Sequence, residues 1–95
     1  MNLTKFKAYF GFAVKGNKIV FGADAVYDRK PIAVFVSDAL SENSLRKLTN
    51  LCNAYDLSLT SLSKEDMDKI TLNEKIMAFG ISDRNLAEAM INCME

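Results

Sequence analysis

Apolar residues recur at helical spacing through the first fifteen positions: Leu3, Phe6, Phe10, Ala13 and Val14, with Asn2 or Thr4 placed to cap the helix they predict. Gly11 falls inside it, at a cost of about 1 kcal/mol against alanine unless something packs closely there. Lys15-Gly16-Asn17-Lys18 ends the helix, and Ile19-Val20-Phe21 predicts a short buried strand. From Gly22 to Asp28 the chain has room for two helical turns at most, because Lys30-Pro31 stops it: proline lacks the N–H and restricts the residue ahead of it. Ile32-Ala33-Val34-Phe35-Val36 is apolar without a break, as in a central strand covered on both faces.

The second half continues the alternation. Ser41 is a good N-cap with Glu42 in the first turn, and Leu45, Leu48, Leu51, Cys52 and Tyr55 form the inward stripe of a long helix. Leu57, Leu59 and Leu62 predict a third strand. Ser63-Lys64-Glu65-Asp66 has the spacing of a capping box for a short helix reaching about Ile70. Lys75 to Ile81 predicts a fourth strand. Ser82 or Asp83 caps a last helix whose Leu86, Ala87, Met90, Ile91 and Met94 face inward. Strands alternating with helices favour an α/β sandwich, a sheet of four strands with helices on both sides.

Length and composition narrow the class. Ninety-five residues suit a single domain spanning 1–95, a size that buries roughly two thirds of its unfolded surface. The 49% apolar share is that of a globular protein, not a disordered one. Lys5 and Lys7 interrupt the start, so no secretory signal is expected, and no apolar run approaches the about 20 residues that span a bilayer. Cys52 and Cys93 are isolated thiols, expected to be reduced in a cytoplasmic protein with no membrane partner. Twelve basic and twelve acidic side chains cancel, which argues against a dominant nonspecific grip on nucleic acid and favours partner binding or self-association.

Catalytic chemistry finds little footing. Histidine is absent, and with it the commonest acid–base group and metal ligand at neutral pH. Two distant cysteines cannot complete a zinc site. Ser44-Leu45-Arg46-Lys47 has the serine–lysine spacing of some acyl-transfer enzymes without their further motifs. Glu65, Asp66 and Asp68 fit a capped, solvated helix start better than a magnesium site. No Walker loop or Gly-x-Gly-x-x-Gly is present. A protein that is not an enzyme and holds no cofactor is expected.

Three phrases then carry a resemblance. Phe10-Gly11-Phe12-Ala13-Val14-Lys15-Gly16-Asn17-Lys18-Ile19-Val20-Phe21-Gly22 resembles Leu-Gly-Leu-Ala-x-Arg-Ala-Gly-Lys-Leu-Val-Ser-Gly. Val34-Phe35-Val36-Ser37-Asp38-Ala39-Leu40-Ser41-Glu42-Asn43 resembles Leu-Val-Leu-Leu-Ala-x-Asp-Ala-Ser-x-Asn. Phe79-Gly80-Ile81-Ser82-Asp83-Arg84-Asn85-Leu86-Ala87 resembles Val-Gly-Val-Thr-Asp-Lys-Gly-Phe-Ala. All three belong to the superfamily of ribosomal proteins L-seven-Ae and L-thirty-e, and together they run in order through nearly the whole chain. The resemblance implies a three-layer α/β/α sandwich with a four-stranded mixed sheet. It also implies binding of kink-turn or ribosomal RNA, sharply bent and rich in sheared G·A pairs, rather than DNA, with the ribosome as a further partner.

In that family the first contact is the start of the second helix, in the pattern Gly-x-Asn-Glu-x-x-Lys. Gly22 matches the glycine, Asp24 stands at the asparagine position, Ala25 replaces the glutamate and Asp28 the lysine. The second contact is the apolar loop before the last strand, here Lys75, Ile76, Met77 and Ala78. The expected RNA edge is therefore Lys18, Gly22, Ala23, Asp24, Arg29 and the Lys75–Ala78 loop. Each lost polar contact weakens recognition by about 1–3 kcal/mol. A carboxylate in place of an ammonium turns attraction to phosphate into repulsion, on the order of 1 kcal/mol. The competing expectation is a protein-interaction scaffold, docked on the ribosome or paired with itself, that kept the sandwich and lost specific RNA recognition.

Overall fold

The computed structural model describes residues 1–94. Helix α1 (Leu3–Lys15) leads into strand β1 (Ile19–Phe21), followed by α2 (Ala23–Arg29), β2 (Ala33–Ser37), α3 (Glu42–Tyr55), β3 (Ser58–Leu62), α4 (Lys64–Thr71), β4 (Ala78–Ile81) and α5 (Arg84–Asn92). The four strands form one mixed sheet in the order β1-β4-β2-β3, with β2 and β3 parallel and β4 antiparallel to both its neighbours. The predicted elements are all present.

The pleat of β2 and β4 sorts the core onto two sides of the sheet, since successive side chains point to opposite faces. Ala33, Phe35, Phe79 and Ile81 meet Phe6, Phe10 and Ala13 of α1, Met67 and Ile70 of α4, and Ala87 and Met90 of α5. Val34, Val36 and Ala78 meet Val26 of α2 and Leu48, Leu51 and Cys52 of α3. Helices cover both sides, and the fold is a three-layer α/β/α sandwich. Phe21, Phe79 and Phe35 are register partners across three strands. Phe35 and Phe79 stack at 5.1 Å between centroids, while Phe6 meets Phe35 and Phe10 meets Phe79 edge to face at 5.3 and 5.2 Å. Such pairs add about 0.5–1.5 kcal/mol beyond the area they bury.

Four helices start under a side-chain cap: Asn2 accepts from the Lys5 N–H, Ser41 from Ser44, Ser63 from Asp66 and Asp83 from Leu86. Helix α2 starts differently. Gly22 has φ 91° and ψ 148° and offers no side-chain cap; with a positive φ the position suits glycine, which has no Cβ to strain. The helix ends at Arg29 and Pro31 is buried against β4. A Cβ on Gly80 would stand 2.1 Å from Pro31 Cγ, so the proline ring occupies the space a side chain on β4 would need.

Five expectations need correction. Strand β1 is not buried: it is an edge strand with Phe21 41% exposed, because only β4 pairs with it. Val14 leaves the inward stripe and is half exposed in the last turn of α1, ahead of the turn at Gly16. Leu45 and Tyr55 are also exposed, since the seven residues of α2 are half the length of the fourteen-residue α3 and cover only part of it. The fourth strand begins at Ala78 rather than Lys75, because Asn73 closes a turn: its carbonyl accepts from the Ile76 N–H at 3.1 Å and its side chain from the Lys75 N–H at 2.9 Å. The second strand is displaced by one residue, from Ala33 to Ser37. Both cysteines are buried free thiols.

Candidate nucleic-acid interface

Two segments more than fifty residues apart meet at one end of the sheet. The Gly22 N–H donates to the Ala78 carbonyl at 2.9 Å, and the Ser37 N–H donates to the Met77 carbonyl at 2.8 Å. The pairing forces this: β1 and β2 both end where β4 begins, so the start of α2 and the loop entering β4 share a corner. Gly22, Ala23, Asp24, Met77 and Ala78 are thus neighbours, with Lys75 and Ile76 in the adjoining turn. Lys75 is exposed, while Ile76 and Met77 are half buried.

Lys18 and Arg29 do not join them. The Lys18 carbonyl accepts from the Ser82 N–H at 2.9 Å, at the opposite end of β4. Four strand steps separate Lys18 from Gly22, about 13 Å. Arg29 closes α2, about 10 Å of helix rise from its start. The ammonium of the adjacent Lys30 lies 5.3 Å from the centre of the Tyr55 ring on α3, a cation–π contact that holds it away from the corner.

Behind the corner, α2 and α3 enclose an open cleft of about 490 Å³ lined by Ala23, Asp24, Tyr27, Asp28, Ser44, Lys47 and Leu48. It continues past Tyr27 into a second hollow of about 290 Å³ bounded by Asn50, Leu51, Ala54 and Tyr55. Asp24 and Asp28 stand one turn apart on α2 and, among the described residues, neither is ion-paired. Ser44 and Lys47 both reach the cleft, as their i, i+3 spacing on α3 requires, with no hydrogen bond between them. Burial alone pushes the Cys52 thiol above its ordinary 9.0.

The carboxylates of α4 serve the helix itself. Asp68 pairs with Lys64, and Glu65 with Lys69 at 2.9 Å, where the hydrogen bond and the charge of Glu65 raise Lys69. Among the described residues no group of three or more carboxylates and thiols gathers to hold a metal ion, and no helix is long and apolar enough to cross a membrane.

Two residues that fasten the corner, Ser37 and Asp38, lie outside the edge expected from sequence. Ser37 is the buried polar residue at the end of β2, its Oγ accepting from the Ala39 N–H at 3.0 Å. Asp38 accepts from the Lys64 N–H at 3.0 Å. Ser37-Asp38 directly after an apolar run was the available signal, since short polar side chains there bond nearby backbone.

The fold and corner define an α/β/α sandwich with a two-segment junction at one end of its sheet. A solved structure of a protein with unknown function from Bacillus halodurans C is similar, with a TM-score of 0.81 over 95% of this chain and 96% of that one, at 14% identity. At that identity the likeness shows a shared fold. No family model matches the chain, and no curated protein matches it by sequence.

Proposed function

We propose that the chain is a cytoplasmic RNA-binding protein of the translation apparatus, a member of the L-seven-Ae and L-thirty-e superfamily whose RNA contact is the Gly22–Ala78 corner. The junction of Gly22 with Ala78 supports this reading. Resemblance names two distant segments as the RNA contacts, and those segments are hydrogen-bonded to each other. Lys75 is the cation at this corner; Lys18 and Arg29 lie outside it. Contact therefore relies on backbone, Lys75 and the apolar Ile76 and Met77, with Asp24 and Asp28 opposing phosphate at the α2 side.

The test compares a kink-turn hairpin with a straight duplex of equal length at stated salt, because phosphate affinity is uninterpretable without it. Tighter binding of the hairpin, with the Gly22 and Met77 amide signals moving, is expected. Equal weak affinity and unmoved amides refute it.

A second reading, a protein-interaction domain, is favoured by the unpaired Asp24 and Asp28 beside the exposed Tyr27 and Tyr55. Tyrosines that are half exposed beside a cleft suit a protein interface as well as a base-stacking platform. Binding to a ribosome preparation that survives ribonuclease treatment would select it.

A further inference from the structure

The loop entering β4 is fastened at both ends, and one fastening comes from a side chain ten residues earlier. Lys64 opens α4 with its backbone N–H on Asp38, whose own N–H donates to the Leu62 carbonyl at 2.8 Å. Its ammonium then donates to Asp68 one turn along and to the Glu74 carbonyl at 3.0 Å. At the other end the Met77 carbonyl accepts from Ser37 at 2.8 Å. Between these anchors Asn73 supplies both acceptors for the Lys75 and Ile76 N–H groups. Three hydrogen bonds, Lys64 N–H to Asp38, Lys64 Nζ to Glu74 and Ser37 N–H to Met77, close a circuit whose remaining links are the chain itself from Ser37 to Asp38 and from Glu74 to Met77.

We infer that Lys64 is a positioning residue: it holds the Lys75–Ala78 segment in its binding shape before any ligand arrives. The inference rests on the proposal that this corner takes RNA. Ammonium suits the task because it has three donors and no acceptor, so it can serve the Asp68 carboxylate and the Glu74 carbonyl at once. A loop already ordered loses less freedom on binding, which raises affinity without a new contact. A partly exposed i, i+4 pair with Asp68 alone would do little; the bond to Glu74 ties the helix to the loop.

The test uses Lys64→Met, which keeps the stem and removes the donors, and Lys64→Arg, which restores them. Backbone ¹⁵N order parameters at Lys75 and Ile76 are expected to fall from about 0.85 to below about 0.6 in Lys64→Met, with Gly22 unmoved and Lys64→Arg restoring them. Unchanged order parameters in Lys64→Met, or no rescue by arginine, overturn the inference. With a kink-turn hairpin as probe, Lys64→Met should bind roughly tenfold more weakly than the unaltered chain, the loss expected for a hydrogen bond to a charged group. Equal binding by both overturns the positioning role. If the unaltered chain does not bind the hairpin, the RNA proposal fails, while the order parameters still decide whether Lys64 orders the loop.

Discussion

The two faces of the sheet are built to different standards. Three helices and the interlocked rings of Phe6, Phe10, Phe35 and Phe79 cover one; two helices cover the other, whose buried residues include no aromatic ring. On the second face α2 is two turns long, and a cleft stays open beside Tyr27. Buried apolar side chains are concentrated on the aromatic side, while the thinner side leaves a cleft and two tyrosines exposed. Binding elements tend to come from the less stable part of a fold, and α2, with Val26 as its one fully buried side chain, is the thinnest cover on this sheet.

Single truncations should separate the faces. Phe35→Ala is expected to cost about 3–5 kcal/mol in chemical denaturation, because Phe35 touches rings from two elements and leaves a cavity that neighbours cannot fill. Leu48→Ala should cost less, about 2–3 kcal/mol, since the adjacent cleft lets α2 settle. Equal losses would show that the second face is as tightly packed as the first. Gly80→Ala should cost about 1–3 kcal/mol, as its methyl group drives Pro31 outward and spreads α2 from the sheet.

Smaller effects sharpen the contrast. Gly11→Ala should stabilise the aromatic side by about 1 kcal/mol, since nothing lies within 4 Å of where its Cβ would stand and only the helix penalty is removed. Asp28→Lys should leave stability within about 0.5 kcal/mol, as expected for an exposed, unpaired position. Under the proposed RNA contact, the same change should tighten kink-turn hairpin binding roughly fivefold by replacing repulsion with attraction, measured at low salt. A stability loss without tighter binding would return Asp28 to a structural role.

Cys52 reports on dryness under α3. Its thiol is raised when folded, so the stability due to its burial is complete below pH 9.0 and is lost as pH climbs through the higher folded value. Alanine at this site should flatten that decline, measured by denaturation between neutral and alkaline pH.

Much of this was legible in the chain. Pro31 announced the short α2 because proline's geometry is local, and Ser63 and Asp83 announced their helices for the same reason. Leu45 and Tyr55 misled because a stripe marks a face without recording the length of the helix laid over it. Lys18 and Arg29 stand apart from Gly22 for a local reason, one at the far end of β1 and the other at the far end of α2; what the chain hid is that the entry to β4 adjoins Gly22. Which end of β1 meets which end of β4 follows from antiparallel pairing, and that pairing is set by contacts some sixty residues apart. The Lys64 circuit was hidden likewise, its members drawn from a strand end, two loops and a helix start.

The proline ring resting on Gly80 has a practical consequence for anyone redesigning this scaffold. A longer second helix cannot be obtained by insertion alone, for the added turn would lift that ring from its seat and expose bare backbone on a central strand. A longer second helix therefore requires at least two coordinated changes, one releasing residue 31 and one refilling position 80.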